Sequence, residues 1–349
     1  MPIKQTFTEA INSALHEVMT FDENVIFYGL GADDPRRIFG TTKNLQEEFG
    51  THRVFDMPTS ENAMTGIAVG ASLGGLRPVM VHQRLDFFLL AFDQLINSAA
   101  KWHFMFGGQH SVPITIRLIM GRGWGQGPTH SQNLHALFAH IPGLKVVLPT
   151  TPEDAKGLLI DSILDDDPVL FLEHRWLHNQ KGDVPTGFYR KPIGFAEVMK
   201  EGTDLTIISL SYMTVEAFRA IPILEKEGIS VEHIDLKCAN PIDWQCILTS
   251  VQKTGRVLVL DTGAVTGSVA GEIIAKVCTD CFSSLKEAPK RIAMPDIPTP
   301  TSFGLTKDFY PGAQEIVDSV AQMFTKKIAH QFESERPHDV PGDWFTGPF

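Results

Sequence analysis

Apolar positions change their period repeatedly along the chain. Over residues 6–20, Phe7, Ile11, Leu15 and Val18 recur at three- and four-residue steps, which predicts a helix with one buried face. Residues 25–29 are a short apolar run closed by a glycine and read as a buried strand. A short helix over 41–49 leads to a strand at 54–56, and Ser60 is placed to N-cap a helix over 61–73. Then follow a strand at 78–82, a long helix over 87–102, strands at 113–118 and 145–149, a helix over 152–164 and a strand at 169–173. Strands alternating with helices in this way predict a parallel sheet covered on both faces.

Composition then shifts. Residues 178–192 are polar and carry Gly182, Pro185, Gly187 and Pro192, which marks an interdomain linker. A second alternation follows, with strands at 205–209, 230–234 and 256–260 and helices over 214–227, 242–251 and 267–277. The expected organisation is an α/β chain of two domains: a parallel-sheet domain over 1–180, a linker over 181–195, a smaller α/β domain over 196–330, and an irregular tail over 331–349.

The 349 residues are 43% hydrophobic, enough for a substantial core. The net charge of −11 argues against nucleic acid as the main ligand, because phosphate neutralisation needs clustered cations. Four cysteines, Cys238, Cys246, Cys278 and Cys281, are too sparse for a disulfide framework and point to a reducing cytoplasm. Cys278 and Cys281 have the spacing of a zinc or redox pair but lack a second ligand pair, so ordinary thiols at a helix end are the commoner reading. The first residues lack the charged and apolar regions of a signal peptide, and no run reaches the ~18 apolar residues of a membrane span.

Candidate chemistry clusters in the first domain. Glu61 stands at the start of a helix, where the dipole alone favours a carboxylate by ~0.3–1 kcal/mol. Its helix carries Gly66, Gly70 and Gly74 every fourth residue. Each interior glycine costs ~1 kcal/mol against alanine, so a close helix crossing is expected over that face, at a subunit interface. Phe87 and Phe88 follow a strand, where α/β proteins bind ligands, although a random Phe pair is more often core. Residues 121–132 form a glycine-rich loop ending in His130-Ser131-Gln132, and a loop histidine titrating near neutral pH suits proton transfer. His130, His135 and His140 are five apart and do not share a helical face, which argues against a metal cluster. Neither a dinucleotide fingerprint nor a Gly-x-Ser-x-Gly elbow is present.

The motifs around 55–61 (Phe-Asp-Met-Pro-Thr-Ser-Glu), 91–95 (Ala-Phe-Asp-Gln-Leu), 130–132, 138–147, 155–159 and 295–300 occur together and in order. In them the chain, from about residue 4 to about residue 325, resembles the beta subunits of thiamine-diphosphate-dependent 2-oxo acid dehydrogenases, within the transketolase superfamily. The resemblance implies a pyrimidine-binding first domain and a transketolase-like C-terminal domain. It implies that Glu61 hydrogen-bonds N1′ of the cofactor's aminopyrimidine and favours its imino tautomer. Phe87 then stacks on the pyrimidine, Gln83 and Leu90 flank it in the pocket, and His130 lies near the substrate and the acyl acceptor. Ile114, Ser162, Ile163, Asp165 and Asp167 fall where relatives hold a structural potassium ion, largely through backbone carbonyls.

Family members hold the diphosphate through Mg2+ with a Gly-Asp-Gly motif, which this chain lacks. An alpha subunit carrying it is expected, in an α2β2 tetramer, with an acyltransferase core as a further partner. Gln83, Leu90 and the loop 118–124 depart from what pyruvate-specific members carry, so the 2-oxo acid and the acceptor stay open. Two alternatives share the pattern: a split transketolase-like enzyme moving a two-carbon ketol unit, and a non-catalytic scaffold subunit.

Overall fold

A computed structural model describes residues 2–34, 38–121, 126–306 and 308–332. The expected tail beyond 332, and Arg122 to Gly125 of the glycine loop, lie outside the described residues. The chain divides into two compact units, the first ending at 193 and the second taking 194 onward together with 126–128.

In the first unit the strands are β1 (Ile3–Thr6), β2 (Val25–Gly29), β3 (Val54–Asp56), β4 (Arg77–His82), β5 (Thr115–Met120), β6 (Lys145–Val147), β7 (Val169–His174) and β8 (Lys181–Val184). The main sheet runs β6-β7-β5-β4-β2-β3, and the pairings along it are parallel. Its carboxyl ends therefore line up, bringing Gly29, Asp56, His82 and Met120 to one edge. Gly29 is required there, because a Cβ would stand 2.6 Å from the carbonyl oxygen of Val81. On the sheet lie the helices Phe7–Phe21 and Pro152–Ile163, which pack on each other. The first starts in a capping box: the Thr6 hydroxyl accepts from the Glu9 amide at 3.2 Å, and the Thr6 amide donates to Glu9 Oε2 at 2.7 Å. The second starts from Thr151, with proline in its first turn.

The second unit holds β9 (Glu197–Lys200), β10 (Leu205–Ser209), β11 (Val231–Asp235), β12 (Cys238–Asn240), β13 (Val257–Ala264) and β14 (Lys290–Met294). Its five-stranded sheet runs β14-β13-β10-β11-β9, parallel except where β9 meets β11. Leu205, Ile207 and Leu260 pack with Ala217 and Leu224 of the helix Tyr212–Lys226, and with Ile316 and Val317 of the helix Ala313–Met323. Cys281 caps the end of the helix Val269–Asp280, and all four cysteines are free thiols. Among the described residues no helix is long and apolar enough to cross a membrane.

Three local expectations change. The long helix expected over 87–102 is a series of windings: α over Leu85–Phe88, 3-10 over Leu89–Ala91, π over Gln94–Ala99 and α again over Ala100–Met105. Buried Phe88, Ala91, Leu95 and Ala99 keep helical spacing throughout, so the apolar pattern does not register the change. Residues 181–184, inside the expected linker, form β8, which pairs antiparallel with the polar β1. Ser60 makes no side-chain cap. On the glycine face the helix Glu61–Leu73 packs on the turn Gln94–Ala99 near Gly66, and the crossing expected at a subunit interface concerns a second chain. A Cβ on Gly66 would stand 3.3 Å from Gln94 Oε1, one on Gly70 would meet nothing within 4 Å, and Gly74 ends the helix.

Two buried histidines give the fold an acid sensitivity. Burial pushes the imidazoles of His82 and His233 down to about 4 from the ordinary 6.5. Between these values the unfolded chain binds the protons that the folded chain refuses. Stability is therefore full above about pH 6.5 and falls by up to ~1.4 kcal/mol per pH unit for each histidine on the way down to about 4. Urea unfolding at pH 7.5 and 5 should show this loss, and His82→Gln should flatten it. Coincident curves at the two pH values would remove the histidines from the account.

Candidate active site

Glu61 opens the helix Glu61–Leu73 just past β3 and is 5% exposed. Among the described residues no side chain hydrogen-bonds its carboxyl. Its backbone is fixed instead. The Thr65 hydroxyl donates to the Glu61 carbonyl at 2.8 Å, and the Tyr28 hydroxyl donates to the Met64 carbonyl at 3.1 Å. Tyr28 stacks on Phe55 at 5.3 Å, and burial raises its phenol well above the ordinary range. The turn after β2 is tied down on both sides, by the Gly31 amide donating to Asp56 Oδ1 at 2.7 Å and by Gln83 Nε2 donating to the Leu30 carbonyl at 2.9 Å. An inward carboxyl at a helix start, free of intramolecular donors, is a group held ready for a ligand nitrogen.

The same helix packs on the segment Leu85–Phe88. Phe87 leaves 43% of its surface open, and Leu90 is more exposed still at 69%. The ring of Phe87 meets that of His130 edge-on, with centroids 5.2 Å apart at 88°. Two separate sequence motifs thus converge. The Thr129 hydroxyl lies 2.9 Å from His130 Nδ1. If Thr129 donates there, Nε2 carries the ring proton. Gln83 is committed to the Leu30 carbonyl. A flat half-open aromatic face, a buried carboxyl and an accessible imidazole together suit a planar heterocycle and a proton-transfer partner, so the residues present fit the pyrimidine half of the implied cofactor.

Charged residues hidden from the sequence reading underlie this edge. Arg117 on β5 and Glu173 on β7 are fully buried and joined by two hydrogen bonds, at 2.6 and 3.0 Å, with His178 Nε2 3.6 Å from the same carboxylate. Burial works to raise Glu173, but the charge and the two bonds of Arg117, with His178 close by, overcome it and hold the carboxyl at about 2. Burial, reinforced by Arg175 and Arg117, pushes His178 down against the pull of Glu173. Arg84 lies beside Gln83 in the pocket segment, and burial brings it down to about 10 despite Asp86 nearby. A charged residue inside each apolar run was the available signal.

The residues matched to a potassium site do come together, at the opposite end of the sheet. The Ile114 carbonyl accepts from the Val169 amide at 3.0 Å and that of Ser162 from the Thr115 hydroxyl at 3.0 Å. The carbonyls of Ile163 and Asp165 accept from Arg77 Nη1 at 3.4 and 2.9 Å. Lys145 Nζ pairs with Asp165 at 2.7 Å and with Asp167 at 3.2 Å. The Ser162 carbonyl also accepts from the Asp165 amide at 3.4 Å, and two side-chain cations stand among these oxygens, so a hard cation there would share them.

Comparison with known proteins matches residues 3–180 to the transketolase pyrimidine binding domain and residues 194–316 to the transketolase C-terminal domain. The chain is 40% identical over 326 residues to the acetoin:2,6-dichlorophenolindophenol oxidoreductase subunit beta of Cupriavidus necator, covering 90% of this chain and 96% of that protein. It is 41% identical over 300 residues to the pyruvate dehydrogenase E1 component subunit beta of Acholeplasma laidlawii, covering 86% and 92%. It is 40% identical over 294 residues to the 2-oxoisovalerate dehydrogenase subunit beta of Bacillus subtilis, covering 84% and 90%. A solved structure described as a split gene transketolase, inactive beta4 tetramer, shares the fold with a TM-score of 0.73 at 22% identity, covering 92% of this chain and 98% of that one.

Proposed function

The chain belongs to the transketolase family, among the beta subunits of the 2-oxo acid dehydrogenase type, and on that premise we propose that it forms the pyrimidine half of a thiamine-diphosphate site that decarboxylates a 2-oxo acid and passes on the acyl group. The observation that carries the reading is the donor-free, buried carboxyl of Glu61 on a helix packed against the segment of Phe87, whose ring meets His130. When bound, the cofactor supplies an electron sink for the bond that breaks beside the carbonyl. The chain's residues do the rest. Glu61 holds a proton at the pyrimidine ring nitrogen, away from water. Phe87 offers its open face to the ring. Gln83 and Leu90 border the pocket. His130 gives or takes a proton at the substrate or acceptor oxygen, the role an accessible imidazole suits.

The diphosphate and Mg2+ fall to an alpha subunit carrying Gly-Asp-Gly, in an α2β2 tetramer, with a lipoyl acyltransferase core as the acyl acceptor. The exposed face of Ile67, Gly70 and Leu73 suits the subunit contact. Four free thiols accord with a cytoplasmic setting. A second reading has a specific ground: one similar subunit is named for acetoin and a dye acceptor. An acyloin is cleaved with release of an aldehyde, whereas a 2-oxo acid releases carbon dioxide. The tetramer, given 2-oxo acids, acyloins and ketose phosphates with a dye acceptor, separates the readings by product. Carbon dioxide from a 2-oxo acid supports the first, aldehyde the second, and ketol transfer a split transketolase. Absence of cofactor binding with the partner present would leave only a scaffold.

For the potassium site, the expected outcome is a higher melting temperature in KCl than in choline chloride of equal ionic strength. Equal melting curves would assign the whole charge of that site to Arg77 and Lys145.

A further inference from the structure

We propose that Asp86 is a positioning residue for this reaction, holding His130 against Phe87 through Gln132; the inference rests on the function proposed above. Asp86 lies one residue before Phe87, in the first turn of Leu85–Phe88, and is 9% exposed. Its Oδ1 accepts from Gln132 Nε2 at 2.7 Å and from the Gln132 amide at 3.4 Å. The Gln132 carbonyl in turn accepts from the Gly121 amide at 3.3 Å. The end of the glycine-rich loop is thus pinned on one side to the segment of Phe87 and on the other to the end of β5.

His130 lies two residues before that pin. Its other bonded contact, with the neighbouring Thr129, is local and does not attach the loop to the sheet. The clamp is therefore what turns the imidazole edge-on to Phe87 at 5.2 Å. A carboxylate acceptor gives a stronger bond than a neutral one. Oδ2 is buried and makes no hydrogen bond among the described residues, with the charge of Arg84 nearby. A group kept at that cost for one bond pair is there for the geometry it fixes.

The test uses the assembled tetramer and, in parallel, the chain labelled with 15N-histidine, its His130 signal assigned by loss in His130→Gln. Asp86→Leu and Gln132→Leu break the clamp from either side. Both are expected to lower kcat about 100-fold, the cost of a catalytic group displaced by ~1 Å, with KM and cofactor affinity within about threefold of the starting protein. Asp86→Asn keeps an acceptor at Oδ1 and should recover kcat to within about tenfold. In the two leucine variants the His130 ring should leave the edge of Phe87, read as a change in its imidazole 1H and 15N chemical shifts. Unchanged kcat and unchanged His130 ring shifts in both would overturn the proposal, as would Asp86→Asn as damaged as Asp86→Leu. Should Asp86→Leu fail to fold, Gln132→Leu decides. Should the tetramer turn over no substrate, the function reading fails while the imidazole shifts still decide whether Asp86 places His130.

Discussion

Glu61→Ala is expected to leave the tetramer assembled and reduce its turnover by about 10²–10⁴-fold, the usual worth of a positioned proton-transfer group. The two halves of that expectation come from the same observation. No described side chain bonds to the Glu61 carboxyl, so its removal breaks no network. Only a helix-dipole contribution of ~0.3–1 kcal/mol is lost, and the relief of a desolvated carboxyl offsets it. The melting temperature should therefore barely move. A carboxyl with nothing to do in the folded chain has its partner in a ligand. Turnover, thermal unfolding and calorimetric titration with thiamine diphosphate check the three parts. Full activity in Glu61→Ala would sink the proposed mechanism. A large fall in melting temperature would show instead that the carboxyl supports the fold.

Most of what positions this site was legible in the chain because it is written in local periodicity. The alternation from 25 to 173 gives the parallel sheet, and a parallel sheet gives the edge at which Gly29, Asp56 and His82 meet. The motif glutamate and the loop histidine could also be read. Their convergence could not, since it rests on contacts between segments far apart. Asp86 and Gln132 are 46 residues apart, and Arg117 and Glu173 are 56 apart. Asp86, Arg117 and Glu173 each read alone as a charged residue in an apolar stretch, and Gln132 as one polar residue of a glycine-rich loop. The winding change over 89–99 was illegible for another reason: 3-10, α and π turns can present the same apolar positions. The strand β8 was hidden because Lys181-Gly182-Asp183-Val184 is polar, and its pairing with β1 needs no apolar alternation at a partly exposed edge. Ser60 shows the opposite failure, where a correct local rule formed no side-chain bond.

The largest stability effect is expected at the buried pair beneath the site. Arg117→Met should cost about 3–5 kcal/mol, because it strands the Glu173 carboxylate in a site with no water. That is a large fraction of the 5–15 kcal/mol that holds an ordinary domain together. The remaining partner, His178, cannot make up the difference as it stands. Burial and the two neighbouring arginines keep its imidazole neutral, with only Glu173 pulling the other way. With Arg117 gone, its hold on Glu173 is lost and burial raises that carboxyl above the ordinary 4.5. The variant should then be least unstable at mildly acidic pH and lose further stability as pH rises from about 4.5 towards the raised Glu173 value. The parent runs the other way. Its Glu173 is held at about 2, below the ordinary 4.5, so that carboxyl's contribution is full above about 4.5 and is lost as pH falls towards 2. Removing both charges together, as Arg117→Met with Glu173→Leu, leaves neither member of the pair buried alone and should recover much of the loss, since apolar replacement of a buried pair is often neutral or better. Urea unfolding of the two single variants and the double variant, at pH 5.5 and 8, closes the cycle. Additive losses, or no reversal of the pH trend in Arg117→Met, would mean that the three side chains do not act as one charged unit and that β5 and β7 are held by their apolar faces alone.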